Sequence, residues 1–175
     1  MSFVSGFLSQ SGGDYDAVDA VYATPPESTE QILHPEKYAQ HEAPVSVKLP
    51  GNLARSMGAG WTEAGQDTLG EFVLRLWLTE NGVPLETATA ATAGWGGDRL
   101  VLVRGPSGDS TLGLVTVWDT EADATEFADA ANAAIVRLGT VDTRHVVSGG
   151  TAVVVTIGPG SKQLLSLIGA VAGGQ

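Results

Sequence analysis

The chain contains no cysteine. Disulfides, zinc–thiolate centres and thiol nucleophiles are thereby excluded, although the compartment is not fixed by that absence. Cations are scarce as well: nine Lys plus Arg stand against twenty Asp plus Glu, a formal net charge of -11. No Lys/Arg cluster offsets this field, so nucleic-acid phosphates and anionic membrane surfaces are repelled and no nucleic-acid partner is expected. The acidity reads as a solubility feature, suited to a salty or acidic habitat. Met1 is followed by neither a basic n-region nor a small-residue cleavage site, so no signal peptide is expected in this chain. The longest apolar run near the C-terminus, Leu164 to Gly174, is too short to span a bilayer, and no membrane insertion by this chain is expected.

What is present is a globular composition, with 43% hydrophobic residues over 175 positions, enough to bury a core without covalent staples. Phe3, Val4, Phe7 and Leu8 recur at helical spacing, with no cap before them. Ser11-Gly12-Gly13 breaks that helix, and Asp14 is the expected cap of a second one carrying Tyr15, Val18, Val21 and Tyr22. Thr24-Pro25-Pro26 ends it, because residues before proline avoid the α region. Ser28 to Gln31 reads as a capping box for a short helix that Pro35 interrupts, and Glu36, Lys37 and Tyr38 form a further turn. Val45 to Leu49 alternates like a strand, whereas Asn52 to Gln66 reads as loop anchored by Trp61.

Beyond residue 66 the punctuation becomes regular. Thr68 and Glu71 form a second capping-box pattern ahead of Leu69, Phe72, Val73, Leu76 and Trp77. Asn81-Gly82 reads as a C-cap, and Pro84 opens an Ala/Thr-rich helix to Ala93. Strands are expected at 98–104 and 112–118 around the turn at Pro106 to Asp109, followed by a long helix capped by Thr120. Two more strands, 144–148 and 152–157, flank Gly149-Gly150, and Ser161 caps a last helix. The fold class so read is α+β. An N-terminal helical segment is followed by β-β-α-β-β-α, an antiparallel four-stranded sheet with helices on one face. Residues 1–66 form the helical and irregular segment and 67–175 the α+β domain.

Chemistry-bearing motifs are thin. The three histidines, His34, His41 and His145, make no His-Glu-x-x-His, and Pro35 separates the first two, so metal binding by that pair rests on spacing alone. His145, at a strand start, reads as a satisfied structural residue. Asp14, Asp16 and Asp19 lack the spacing and final Glu of a calcium loop. Gly158-Pro159-Gly160-Ser161-Lys162 follows a strand and opens a helix, the setting for an anion, but it is not a Walker sequence and a turn plus cap explains it. No Gly-x-Ser-x-Gly occurs. Trp95-Gly96-Gly97-Asp98-Arg99 gives Trp95, Asp98 and Arg99 as candidate binding residues, because paired glycines admit close backbone approach and Trp95 covers a groove there. The competing reading is a helix-to-strand corner with Trp95 as a core plug.

The run Pro25-Pro26-Glu27-Ser28-Thr29-Glu30-Gln31-Ile32-Leu33-His34-Pro35-Glu36-Lys37-Tyr38 is more specific. It resembles a signature of bacterial and archaeal proteins that are themselves similar to gluzincin-type zinc metallopeptidases, many of them secreted or lipoprotein-like. Thr68 to Phe72, Gly94 to Arg99 and Trp118 to Phe127 fit the same pattern in order. In such proteins the zinc helix and its His-Glu-x-x-His lie ahead of the region seen here. The resemblance therefore implies a C-terminal, non-catalytic portion, with no cofactor or metal held by this chain and zinc expected only with the missing half. It implies His34 and Tyr38 as supporting donors to an oxyanion, with Glu30 and Glu36 as orienters. It implies an N-terminal catalytic half, or another copy of the chain, as partner, and an extracellular or envelope location. A structural role for the same run, fixing a junction between two proline turns, stands beside that reading. A stand-alone α+β binding or assembly module using its sheet is the alternative function. The two differ in one feature: a dependent portion leaves the apolar faces of helices 1–10 and 14–23 uncovered, and a free-standing module buries them.

Overall fold

A computed structural model of the chain describes residues 3–138 and 144–172. The chain divides into two compact units, Met1–Pro44 and Val45–Gln175. Residues 45–66, expected with the helical segment, belong to the second unit. The reason is physical: residues 62–67 pair with a strand of its sheet, and Val47, Leu53 and Met57 enter its core.

The first unit holds α1 (Phe3–Gln10), α2 (Asp16–Ala23), α3 (Thr29–Leu33) and α4 (Pro35–Ala39). Gly12 and Gly13 adopt φ of 68° and 92°, which ends α1 as expected. Asp14 accepts from the Asp16 N–H at 3.0 Å, but the residue at the N-cap of α2 is Tyr15, with no side-chain cap. Ser28 caps α3, accepting from Gln31 N–H at 3.2 Å. The reciprocal bond runs one residue further back than in a standard capping box, from Glu27 N–H to Gln31 Oε1 at 2.7 Å. Pro35 at the first position of α4 starts the next turn at once.

The second unit holds α5 (Leu53–Met57), β1 (Thr62–Asp67), α6 (Gly70–Glu80), α7 (Leu85–Thr92), β2 (Trp95–Arg104), β3 (Ser110–Trp118), α8 (Glu121–Ile135), β4 (Arg144–Gly149), β5 (Ala152–Ile157) and α9 (Ser161–Ala172). The α+β class holds, with two corrections. The antiparallel sheet has five strands, ordered β1-β2-β3-β5-β4, where four were expected. The added strand is β1, whose sequence Thr-Glu-Ala-Gly-Gln-Asp is exposed along its whole length and carries no apolar alternation. Pairing with β2 makes it a strand, and its bulge between Glu63 and Gly65 and its acidic side chains keep this edge from recruiting further strands.

The second correction concerns the layers: helices cover both faces of the sheet, not one. Leu100, Leu112, Leu114, Val153 and Val155 face Leu74, Leu78, Ala88, Phe127 and Ala131 of α6, α7 and α8. Val101, Val103, Val115, Val117 and Val154 face Leu53, Met57, Leu164 and Ile168 of α5 and α9. Apolar residues on consecutive strand positions, as in Leu100-Val101 and Val153-Val154-Val155, carry this two-sided burial, because neighbouring side chains point to opposite faces. Gly113 makes room for α9: a Cβ there would lie 2.8 Å from Ile168 and 2.9 Å from Leu164. Phe127 is fully buried with its ring 4.6 Å from that of Trp118.

Local expectations also moved. Val45 to Leu49 is no strand, although Val45 N–H donates to Gly96 C=O at 2.7 Å. The cap of α6 is not Thr68 but the Asp98 carboxylate, reaching from β2. Thr120 caps α8 as expected, and Asp123 completes a capping box that the sequence reading did not name. Trp61 does anchor its loop, its ring lying over Gly105 and Gly160.

Candidate functional site

The signature run in the first unit has a definite geometry. Glu30 is 2% exposed, and its carboxylate accepts from Lys37 Nζ at 2.6 Å. Lys37 donates also to Glu42 Oε1 at 2.7 Å, so one ammonium joins α3, α4 and the segment after them. Gln31, likewise buried, closes the same knot by donating to Glu42 C=O at 2.7 Å. Lys37 is the sole Lys or Arg among the first 44 residues. A buried carboxylate requires a partner, and here only one cation was available to supply it.

The four supporting residues are not brought to a common point. Tyr38 donates its hydroxyl proton to Thr24 C=O at 2.6 Å, and its ring meets Phe3 and Phe7 edge-on at 5.4 and 5.5 Å. Its polar tip thus closes the Thr24-Pro25-Pro26 turn while its body packs against α1. His34 stands at the junction of α3 and α4, with Nδ1 3.6 Å from the exposed Glu36 carboxylate, longer than a hydrogen bond. Glu30 acts on Lys37. The cleft beside Tyr38, lined by Thr24, Glu27, Gln31 and His41 among others, encloses about 160 Å³, less than ligand pockets ordinarily offer. No histidine falls in a group of three metal-ligating side chains among the described residues.

Sequence reasoning gave Gln31 only a capping role and Lys37 only a place in a turn, and it missed Glu42. The available signal was Lys37 as a lone cation seven residues after Glu30, but Pro35 between them hides the pair from any helical spacing rule.

In the second unit, Trp95 and Asp98 come together as a buried pair. Trp95 is 1% exposed and donates its indole N–H to Asp98 Oδ2 at 3.0 Å. Asp98, 3% exposed, also accepts from Leu69 N–H at 2.8 Å and Gly70 N–H at 2.7 Å. A carboxylate from mid-sheet therefore satisfies two orphan donors at the start of α6. Burial pushes the Asp98 carboxyl above its ordinary value, opposed by the Leu69 and Gly70 N–H groups, the indole and the charge of Arg99. Arg99 is half-buried on the opposite side of the strand from Asp98. Trp95 is a core plug, and the segment lies inside β2 with a bulge between Trp95 and Gly97 in place of the expected corner. The glycines do admit close approach, and what approaches is the Val45 carbonyl against Gly97.

The remaining candidates are structural or incomplete. At Gly158 to Lys162 the Gly160 and Ser161 N–H groups both bond Gly158 C=O at 3.1 Å, and Gln163 Nε2 donates to Ser56 and Met57 carbonyls. With Trp61 over Gly160, protein groups occupy the start of α9. His145 differs from the expectation of a satisfied residue: its Nε2 is buried and has no hydrogen-bond partner among the described residues, nor has Thr156 Oγ1 directly across the ladder.

No curated protein and no solved structure matches the chain. Residues 55–167 match a family model, and the Pro25–Tyr38 run lies outside that match. The matched span takes in the sheet, Trp95, Asp98 and the helices on both faces, and on it the chain belongs to the family described as a domain of unknown function, DUF8575.

Proposed function

We propose that this chain is the non-catalytic, C-terminal portion of a metallopeptidase-like protein, with zinc and its His-Glu-x-x-His helix supplied by a catalytic half. In this reading the first unit is the surface that receives that half. The observation that supports it is an uncovered apolar face. Helix α2 buries none of its residues, Val4 is 49% and Tyr22 83% exposed, and Phe3, Phe7, Val18, Val21, Pro25 and Pro26 line a cleft of about 450 Å³ between them. Apolar side chains arranged this way mark an interaction surface. Tyr38 and His34 then serve the junction: Tyr38 binds the double-proline turn to α1, which shapes the cleft wall.

The alternative is a free-standing module that binds through its sheet; with helices over both sheet faces, it would do so through the edge strands β1 and β4. Calorimetric titration with zinc is expected to show no tight stoichiometric site, and such a site would overturn the division of labour. A hydrophobic dye is expected to bind the chain and to lose most of its fluorescence gain in a Val4→Ser/Tyr22→Ser variant. Equal dye response in both proteins would show that this face is covered.

A further inference from the structure

In the second unit, a groove of about 650 Å³ lies between α7 and α8. Its floor is small and apolar, with the buried Val83, Ala91 and Ala130 among the lining residues, so a partner's backbone can come close. Its rim carries three carboxylates, Glu86, Glu126 and Asp129, all exposed, and none forms an ion pair among the described residues. The Arg137 guanidinium lies against Gly82 at one end of the groove. On the other side of α7, Leu85, Phe72, Leu76 and Arg75 line a separate cleft of about 370 Å³, so the groove itself is apolar through Val83, Ala91 and Ala130.

We infer that this groove docks a basic amphipathic helix of a partner protein, its apolar side chains on the groove floor, its Lys or Arg groups on Glu86, Glu126 and Asp129. Charge selects the occupant. A second copy of the chain would set carboxylates against carboxylates, in a protein of net charge -11. An anionic membrane is repelled for the same reason. A helix fits the shape, because the channel between two helices accepts a third by its apolar stripe. The inference stands apart from the metallopeptidase reading, since it uses neither the first unit nor zinc.

The test uses the full chain and a fluorescent peptide of about 18 residues, helical, built from Leu and Lys in amphipathic order. Saturable binding is expected, with the amide resonances of residues 82–92 and 126–133 shifting. A Glu126→Lys/Asp129→Lys variant is expected to bind about tenfold more weakly. A control with the same change of charge on β1, Glu63→Lys/Asp67→Lys, is expected to stay within about twofold of the unaltered chain. Equal losses in the two charge variants would reduce the effect to general attraction by an acidic surface and overturn the inference. So would equal binding of a Leu/Glu peptide, an absence of saturable binding, or resonance shifts confined elsewhere, the last of which needs no variant at all.

Discussion

Asp98 shows how one side chain is used twice. Its position in β2 aims it into the layer beneath α6, where it replaces the missing local cap and holds the Trp95 indole. Asn in its place keeps the shape, but its amide presents one acceptor where the carboxylate presents two. Asp98→Asn is expected to cost about 1–3 kcal/mol near neutral pH, read from urea unfolding. The pH dependence has a definite sign. Because the folded carboxyl lies above its unfolded value of 3.8, the folded state holds its proton more tightly. The stability this adds is complete below the unfolded value and is lost as pH rises through the folded one. The advantage of the unaltered chain over the Asn variant is therefore expected to shrink as pH climbs from just below 4. An advantage that grows over that interval would mean that the three hydrogen bonds outweigh burial. Nothing in the local sequence announced this role, because the donors Leu69 and Gly70 lie some thirty residues upstream.

At the scale of elements, close packing is set by glycines placed where two backbones meet. A Cβ at Gly97 would collide with the Val45 carbonyl, and neither group is a flexible side-chain end. Gly97→Ala is expected to destabilise by about 1–3 kcal/mol, through displacement of the 45–49 segment and of Val47 from the core. Gly65→Ala, where a Cβ meets nothing within 4 Å, is expected to change stability by less than about 0.5 kcal/mol. Thermal unfolding of the two variants side by side checks the contrast. The elements that were legible carried their own signals: the Thr120 cap of α8, the glycine turns, and the β-branched runs of β3 and β5. Strand β1 carried none, since an edge strand exposed along its length has no face to pattern.

For the molecule as a whole, the two units differ in kind. The second contains both apolar clusters in full, from Val47 onward, and spans the residues that match the family. A chain of residues 45–175 is therefore expected to fold by itself, with a cooperative thermal transition within about 5 °C of that of the whole chain. Loss of cooperativity in that fragment would show that the first unit contributes to its core. The first unit is tied together by, among other contacts, a Glu30–Lys37–Glu42 knot, a Tyr38–Thr24 bond and the rings of Phe3, Phe7 and Tyr38.

The sequence by itself determined the class of the molecule: no thiol chemistry, an acidic surface, an α+β order of elements and a signature run with defined caps and turns. These follow from composition and from interactions within a few residues, where spacing translates directly into geometry. Only the tertiary structure decided that the sheet has a fifth strand and helices on both faces, that Asp98 caps a helix distant in sequence, and that the Glu30 carboxylate meets the Lys37 ammonium. Each of these depends on backbone groups or charges far apart along the chain finding one another, and a burial cost is the force that pairs them. The residues around Pro25 to Tyr38 were visible from the start; which atoms they satisfy was settled by folding.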